Sequence, residues 1–152
     1  MSIRLSEEEA WAVVAQSHTG ILTTLRGDGS PITLPMWFAA LDRSVCFSTP
    51  AGTKKVARIT RNPHGSFLVE SGERWAELRA VHLSGVIEPV DDPSTRARID
   101  AAMDSKYAAF RTAAAEMPNA TREHYTSRRY FRMVPSGRIL SWDNSRISLS
   151  RP

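Results

Sequence analysis

Apolar and polar positions along the chain change their period several times. Between Ser6 and Gln16 the apolar residues Ala10, Val13 and Val14 recur at three- and four-residue spacing behind Ser6-Glu-Glu-Glu9. A serine followed three residues later by a glutamate is the signature of a capped helix start, so a helix from Ser6 to about Gln16 is predicted. The period then shortens. "TGILTTL" and "PITLPMWFAAL" are β-rich runs joined by "RGDGS", whose Asp28-Gly29 pair supplies the positive φ that a hairpin turn needs. "SVCFST", "GSFLVES", "WAELRAVHLSGVIEPV" and "YFRMVPSGRILSW" continue in the same vein. Six or more short, turn-separated strands with few helices predict a mainly β fold, an antiparallel sandwich or barrel.

Two segments break this pattern. In the second strand Ile32, Leu34, Met36 and Phe38 point one way while Pro35, Trp37, Ala39 and Leu41 point the other, so both faces are apolar. Its outer face is expected to be covered by a partner subunit, a helix or a flat ligand. Pro35 removes one ladder donor, which puts the strand at an edge, at a bulge or where something approaches the backbone. "GTKKVARITRNP", residues 52–63, is an amphipathic helix with Lys54, Arg58 and Arg61 on one stripe and Val56, Ile59 and Thr60 on another. That pattern fits a solvated helix face. It also fits an anion site, with Thr53 as the cap, Gly52 allowing close approach, and Lys54 and Lys55 beside the free amides of the first turn. Further on, Asp92 and Pro93 open the longest predicted helix, "DDPSTRARIDAAMDSKYAAF", and "RTAAAEMPNATREHY" continues it loosely, breaking at Pro118.

Length and composition narrow the class. With 152 residues, 41% of them hydrophobic, the chain suits one domain, residues 1–152, with a sizeable core. No apolar run approaches the roughly 20 residues of a membrane span, and "MSIRLSEEEAW" lacks the apolar core of a signal peptide, so a cytoplasmic protein without membrane contact is expected. The single cysteine, Cys46, lies in the apolar "VCFS" and reads as a buried, inert thiol. A net charge of +4 admits an anionic partner, but the basic residues are dispersed and no nucleic-acid motif is present. His18, His64, His82 and His124 share no metal-ligand spacing, and no metal is expected. No nucleophile–base pair, paired carboxylates, "GxSxG" or "HExxH" pattern appears, which suits chemistry carried by a cofactor.

The order "GILTTLRGDGSPITLPMWF", "TPAGTKKVARITRNPHGSFLVE", "LSGVIEPVDDP" and "GRILSWD" resembles the pyridoxamine-phosphate-oxidase-like split β-barrel superfamily, also called FMN-binding split barrels. Within it the resemblance is to the actinobacterial flavin/deazaflavin oxidoreductase branch, and it runs from about Ser17 to Asp143. It implies a split β-barrel homodimer with FMN or the deazaflavin coenzyme F420 held between the subunits. Carried over by position, Lys55 and Thr53 match the phosphate side of the cofactor, Leu34, Pro35, Met36 and Trp37 match the strand lining the ring, and Trp142 matches a position near the ring end. Arg58-Ile59 stands where many relatives have Asn-Leu.

The implied activity is hydride transfer between the flavin-type cofactor and a small organic substrate. Coenzyme F420 is preferred over FMN, because Lys54, Arg58 and Arg61 are cations beyond what one phosphate needs. The competing reading is a non-catalytic flavin or haem binding or storage protein of the same fold. Pyridoxamine-phosphate oxidase activity itself is disfavoured, since "NSRISLSRP" lacks the "RLxP"-like ending of that enzyme. Arg128 and Arg129 are expected to be exposed, or to lend charge to the second subunit's phosphate site.

Overall fold

A computed structural model describes residues 2–148; the last four residues of "NSRISLSRP" lie outside them. In chain order the elements are α1 (Glu7–Gln16), β1 (Gly20–Leu25), β2 (Pro31–Met36), β3 (Ala39–Leu41), β4 (Ser44–Pro50), α2 (Lys54–Arg61), β5 (His64–Ser71), β6 (Arg79–Pro89), α3 (Pro93–Tyr107), α4 (Asn119–His124), β7 (Arg128–Pro135) and β8 (Leu140–Asp143). The local signals hold. Ser6 and Glu9 form the reciprocal capping box of α1, and the Asp92 carboxylate accepts from the Thr95 amide at the start of α3. Gly29 adopts φ +85° in the β1–β2 turn.

The strands form one antiparallel sheet in the order β2-β1-β5-β6-β7-β4-β3, with β8 sharing an edge of β6 with β7. β2 and β3 end that order, yet only Trp37 and Phe38 separate them in the chain. The sheet therefore has to curl until its two ends lie within a dipeptide of each other. The result is a mainly β split barrel, with a seam between β2 and β3 that no ladder closes among the described residues.

Leu22, Phe38, Phe47, Phe67, Leu83, Phe131 and Met133 fill the barrel. Phe67 meets Phe38 edge-on at 4.7 Å and lies where Gly20 has no side chain; a Cβ there would fall 2.0 Å from the Phe67 ring. β4 is buried on both faces. Val45 and Phe47 point into the barrel, and Cys46 points to a second cluster with Ile99, Met103 and Tyr107, where α3 covers the sheet.

Three expected strands come out differently. The run 31–41 breaks at Trp37–Phe38. Trp75–Glu77 is a 3-10 turn, with β6 starting only at Arg79, and "YFRMVPSGRILSW" divides into β7 and β8 around Gly137 at φ +73°. β2 is an end strand, as Pro35 suggested, but among the described residues no helix covers its outer face: Pro35 is exposed, and Leu34, on the other face opposite Leu22, is 45% exposed.

Candidate functional site

α2 closes one end of the barrel. Val56 and Ile59 are buried in the core, and Thr53 caps the first turn by accepting from the Val56 amide at 3.4 Å. The polar stripe faces out, with Lys54 exposed and Lys55 half-buried. Burial, and then the neighbouring Arg58 charge, pushes the Lys55 ammonium below the ordinary lysine range. Arg58 Nε donates to Thr24 Oγ1 at 2.8 Å, and Thr24 is a buried hydroxyl on the inner face of β1. Among the described residues no carboxylate lies within ion-pair distance of Lys54, Lys55, Arg58 or Arg61. These cations run from the helix start, at Lys54 and Lys55, to its last turn, at Arg58 and Arg61, a cluster left without counter-charge.

The structure adds Arg128 to this end. Its Nε and Nη2 donate to Ser48 Oγ at 3.1 and 2.6 Å, and the Ala51 amide donates to the Ser127 carbonyl on the way into α2. The expectation of an exposed pair is therefore corrected for Arg128, which is half-buried, and holds for Arg129. A charge in sequence cannot reveal a partner 80 residues away.

Leu34, Pro35, Met36 and Trp37 lie at the other end of β2. Trp37 is 40% exposed and stacks on Tyr107 of α3, with centroids 4.3 Å apart and planes 6° from parallel. The Tyr107 hydroxyl accepts from the Phe38 amide at 3.0 Å and has the carbonyls of His18 at 2.7 Å and Phe38 at 2.9 Å as acceptors. It thereby satisfies the backbone at the break between β2 and β3, and burial pushes its phenol up. Lys106 sets its ammonium 3.8 Å from the Phe38 ring centroid. Its Nζ is the one buried side-chain polar atom without a hydrogen-bond partner among the described residues, and burial pushes it down to about 8. Sequence reasoning missed both residues, since a lysine-tyrosine pair in the last turn of a helix carries no mark of its target.

Register gives the distances between these groups. Arg58 reaches β1 at Thr24, and Met36 faces Gly20 four residues along, so the cation cluster and the Trp37 end are about 13 Å apart along the strand. On the outer face Pro35, Ile21, Leu68, His82 and Leu140 form one row across five strands. A cleft of about 500 Å³ opens beside this row, lined by Val13, His18, Ile21, Pro35, Glu70 and Arg79 among others. Trp142 is opposite Ala80 on the same face, 38% exposed, but four strand spacings, about 19 Å along the sheet, separate its strand from β2. One chain does not bring Trp142 to Pro35.

Cys46 is buried and its thiol is pushed up by burial. Among the described residues no three His, Cys, Asp or Glu side chains cluster as metal ligands, and no helix is long and apolar enough to cross a membrane.

The sequence matches the family model described as pyridoxamine 5'-phosphate oxidase over residues 6–135. No curated protein matches it significantly. Among solved structures, a conserved hypothetical protein from Mycobacterium tuberculosis is 30% identical, with 99% of this chain and 94% of that one covered and a TM-score of 0.80. A FAD binding protein from Mycobacterium smegmatis is 22% identical over 90% of this chain and 95% of that one, with a TM-score of 0.66. The haem storage protein HutZ from Vibrio cholerae shares the fold at 13% identity, over 93% and 96% of the two chains, with a TM-score of 0.69.

Proposed function

The chain belongs to the pyridoxamine 5'-phosphate oxidase family, and from that premise we propose that it is a cytoplasmic oxidoreductase that holds a flavin-type cofactor and acts on a small organic substrate. The observation that carries this reading is the uncompensated cation cluster of α2, set about 13 Å along β1 from the partly exposed Trp37 end of β2. That separation suits a phosphate joined by a short polyol chain to a flat ring.

In this reading Thr53, Lys54, Lys55 and Arg58 hold the phosphate side, and Leu34 to Trp37 line the ring. The donor set fits such a group: capped-helix amides and like charges with no acid beside them gain from a bound phosphate. The bound cofactor supplies hydride transfer. The chain binds it, orients its ring and excludes water, in keeping with the lack of any paired acid and base in the sequence. Coenzyme F420 is the preferred occupant and FMN the alternative, because Arg61 and Arg128 leave cations over for an acidic tail.

The working unit is a homodimer. Leu34, Trp37, Leu140 and Trp142 are large apolar side chains left exposed around the barrel, and a second copy covers them while bringing its own Trp142 toward the groove. A storage role for flavin or haem is the second reading. It draws on the haem storage protein of the same fold and on His82, which stands between Leu68 and Leu140 in the outer row.

Fluorescence titration of cofactor-free protein with FMN and with F420, at one salt concentration, tests the reading. Binding at micromolar concentration or tighter is expected for one of them, and Lys55→Ala should weaken it about tenfold or more, the worth of one charged hydrogen bond. Failure of both to bind sinks the proposal; tight binding of haem instead would favour storage.

A further inference from the structure

At the end of the barrel away from α2, the start of α1, the β3–β4 turn and the β7–β8 connection enclose a cleft of about 470 Å³. Its floor is apolar. Leu5 and Ala10 are buried, Trp11 and Ile139 pack against the core, and Val134 remains 39% exposed. Its rim carries Arg4, Arg43 and Arg138 against a single carboxylate, Glu7, and Glu7 is already paired with Arg43.

Glu9, on the adjoining turn of α1, is engaged by Arg146 at 2.7 Å and by the Ser6 amide. Among the described residues neither Arg4 nor Arg138 has a carboxylate within ion-pair distance. Two unmatched guanidiniums therefore stand over an apolar floor, in a space of the size that holds small organic ligands. The phosphate end of the proposed cofactor groove is elsewhere. Val45 faces Met133 at this end and Pro50 faces Arg128 at the other, five residues or about 17 Å away.

We propose that this cleft is a second ligand site, which takes a small carboxylate with an apolar body. The carboxylate is held by Arg4 and Arg138, and the body rests on Trp11, Val134 and Ile139. A guanidinium matches the planar, two-oxygen face of a carboxylate, and the apolar floor gives an organic acid an advantage that an inorganic anion lacks. The proposal stands independently of the cofactor reading, since it uses none of the same residues.

Titration calorimetry of the full chain with benzoate, and with benzamide as its uncharged counterpart of the same shape, tests it. Saturable benzoate binding at one site per chain is expected, with benzamide weaker by about tenfold or more. Arg138→Ala and Arg4→Ala, whose circular dichroism should match the wild type because both side chains are at the surface, should each weaken benzoate to a similar degree. Lys55→Ala should bind benzoate as the wild type does. No saturation into the millimolar range, equal binding of benzamide, or loss of binding in Lys55→Ala with retention in Arg138→Ala would overturn the proposal.

Discussion

Replacing Lys106 with methionine should make the protein more stable at neutral pH. The Lys106 ammonium is held over the Phe38 ring without a hydrogen-bond acceptor, and burial lowers its proton affinity from the ordinary 10.5 to about 8. At 1.36 kcal/mol per decade that difference corresponds to roughly 3 kcal/mol, and solvent screening of a half-buried side chain cuts it to about 1–2 kcal/mol. The cation–π contact returns about 0.5–1 kcal/mol. Methionine keeps the unbranched stem and its packing, removes the charge, and meets the ring with a polarizable sulfur. The net expectation is a gain of about 1 kcal/mol at neutral pH.

The pH dependence gives the sharper test. Between about 8 and 10.5 the unfolded amine holds a proton that the folded one has released, so wild-type stability rises with pH through that window and the penalty is complete below it. Lys106→Met lacks this rise. Tyr107 and Tyr130, both pushed up, oppose it at the alkaline end, so the quantity to read is the difference between variant and wild type in urea denaturation. That difference should shrink from neutral pH toward about pH 10. A variant that is less stable at neutral pH, or a difference that does not change with pH, would refute the assignment of desolvation as the dominant cause.

Tyr107→Phe should cost about 1–3 kcal/mol, because it leaves the buried Phe38 amide without its acceptor; urea denaturation measures this, and altered Trp37 fluorescence should report the loosened stack. Gly20→Ala should cost about 1–3 kcal/mol in the same assay, since its Cβ would fall 2.0 Å from the Phe67 ring and the core must shift. A neutral result at Gly20 would mean that Phe67 has room to move.

How much of this was legible in the residues divides by the range of the interaction responsible. Helix starts are decided within three residues, through Ser6 with Glu9, Thr53 with the Val56 amide, and Asp92 with the Thr95 amide. Residue order therefore determined them, as it did the Gly29 turn. The cation stripe of α2 was visible for the same reason.

What the residue order did not carry depends on partners remote in the chain. The break at Trp37–Phe38 is held by a tyrosine 69 residues further on. Lys106 reads as an ordinary helix-surface lysine until the curl of the sheet puts Phe38 beneath its ammonium. Trp142 and Pro35 share a face, but their separation exists only once β1, β5 and β6 lie between their strands. Capping and turn formation are local and survive in almost any tertiary setting, whereas desolvation, register and the pairing of charges are properties of the curled sheet, where distance along the chain no longer measures distance in space.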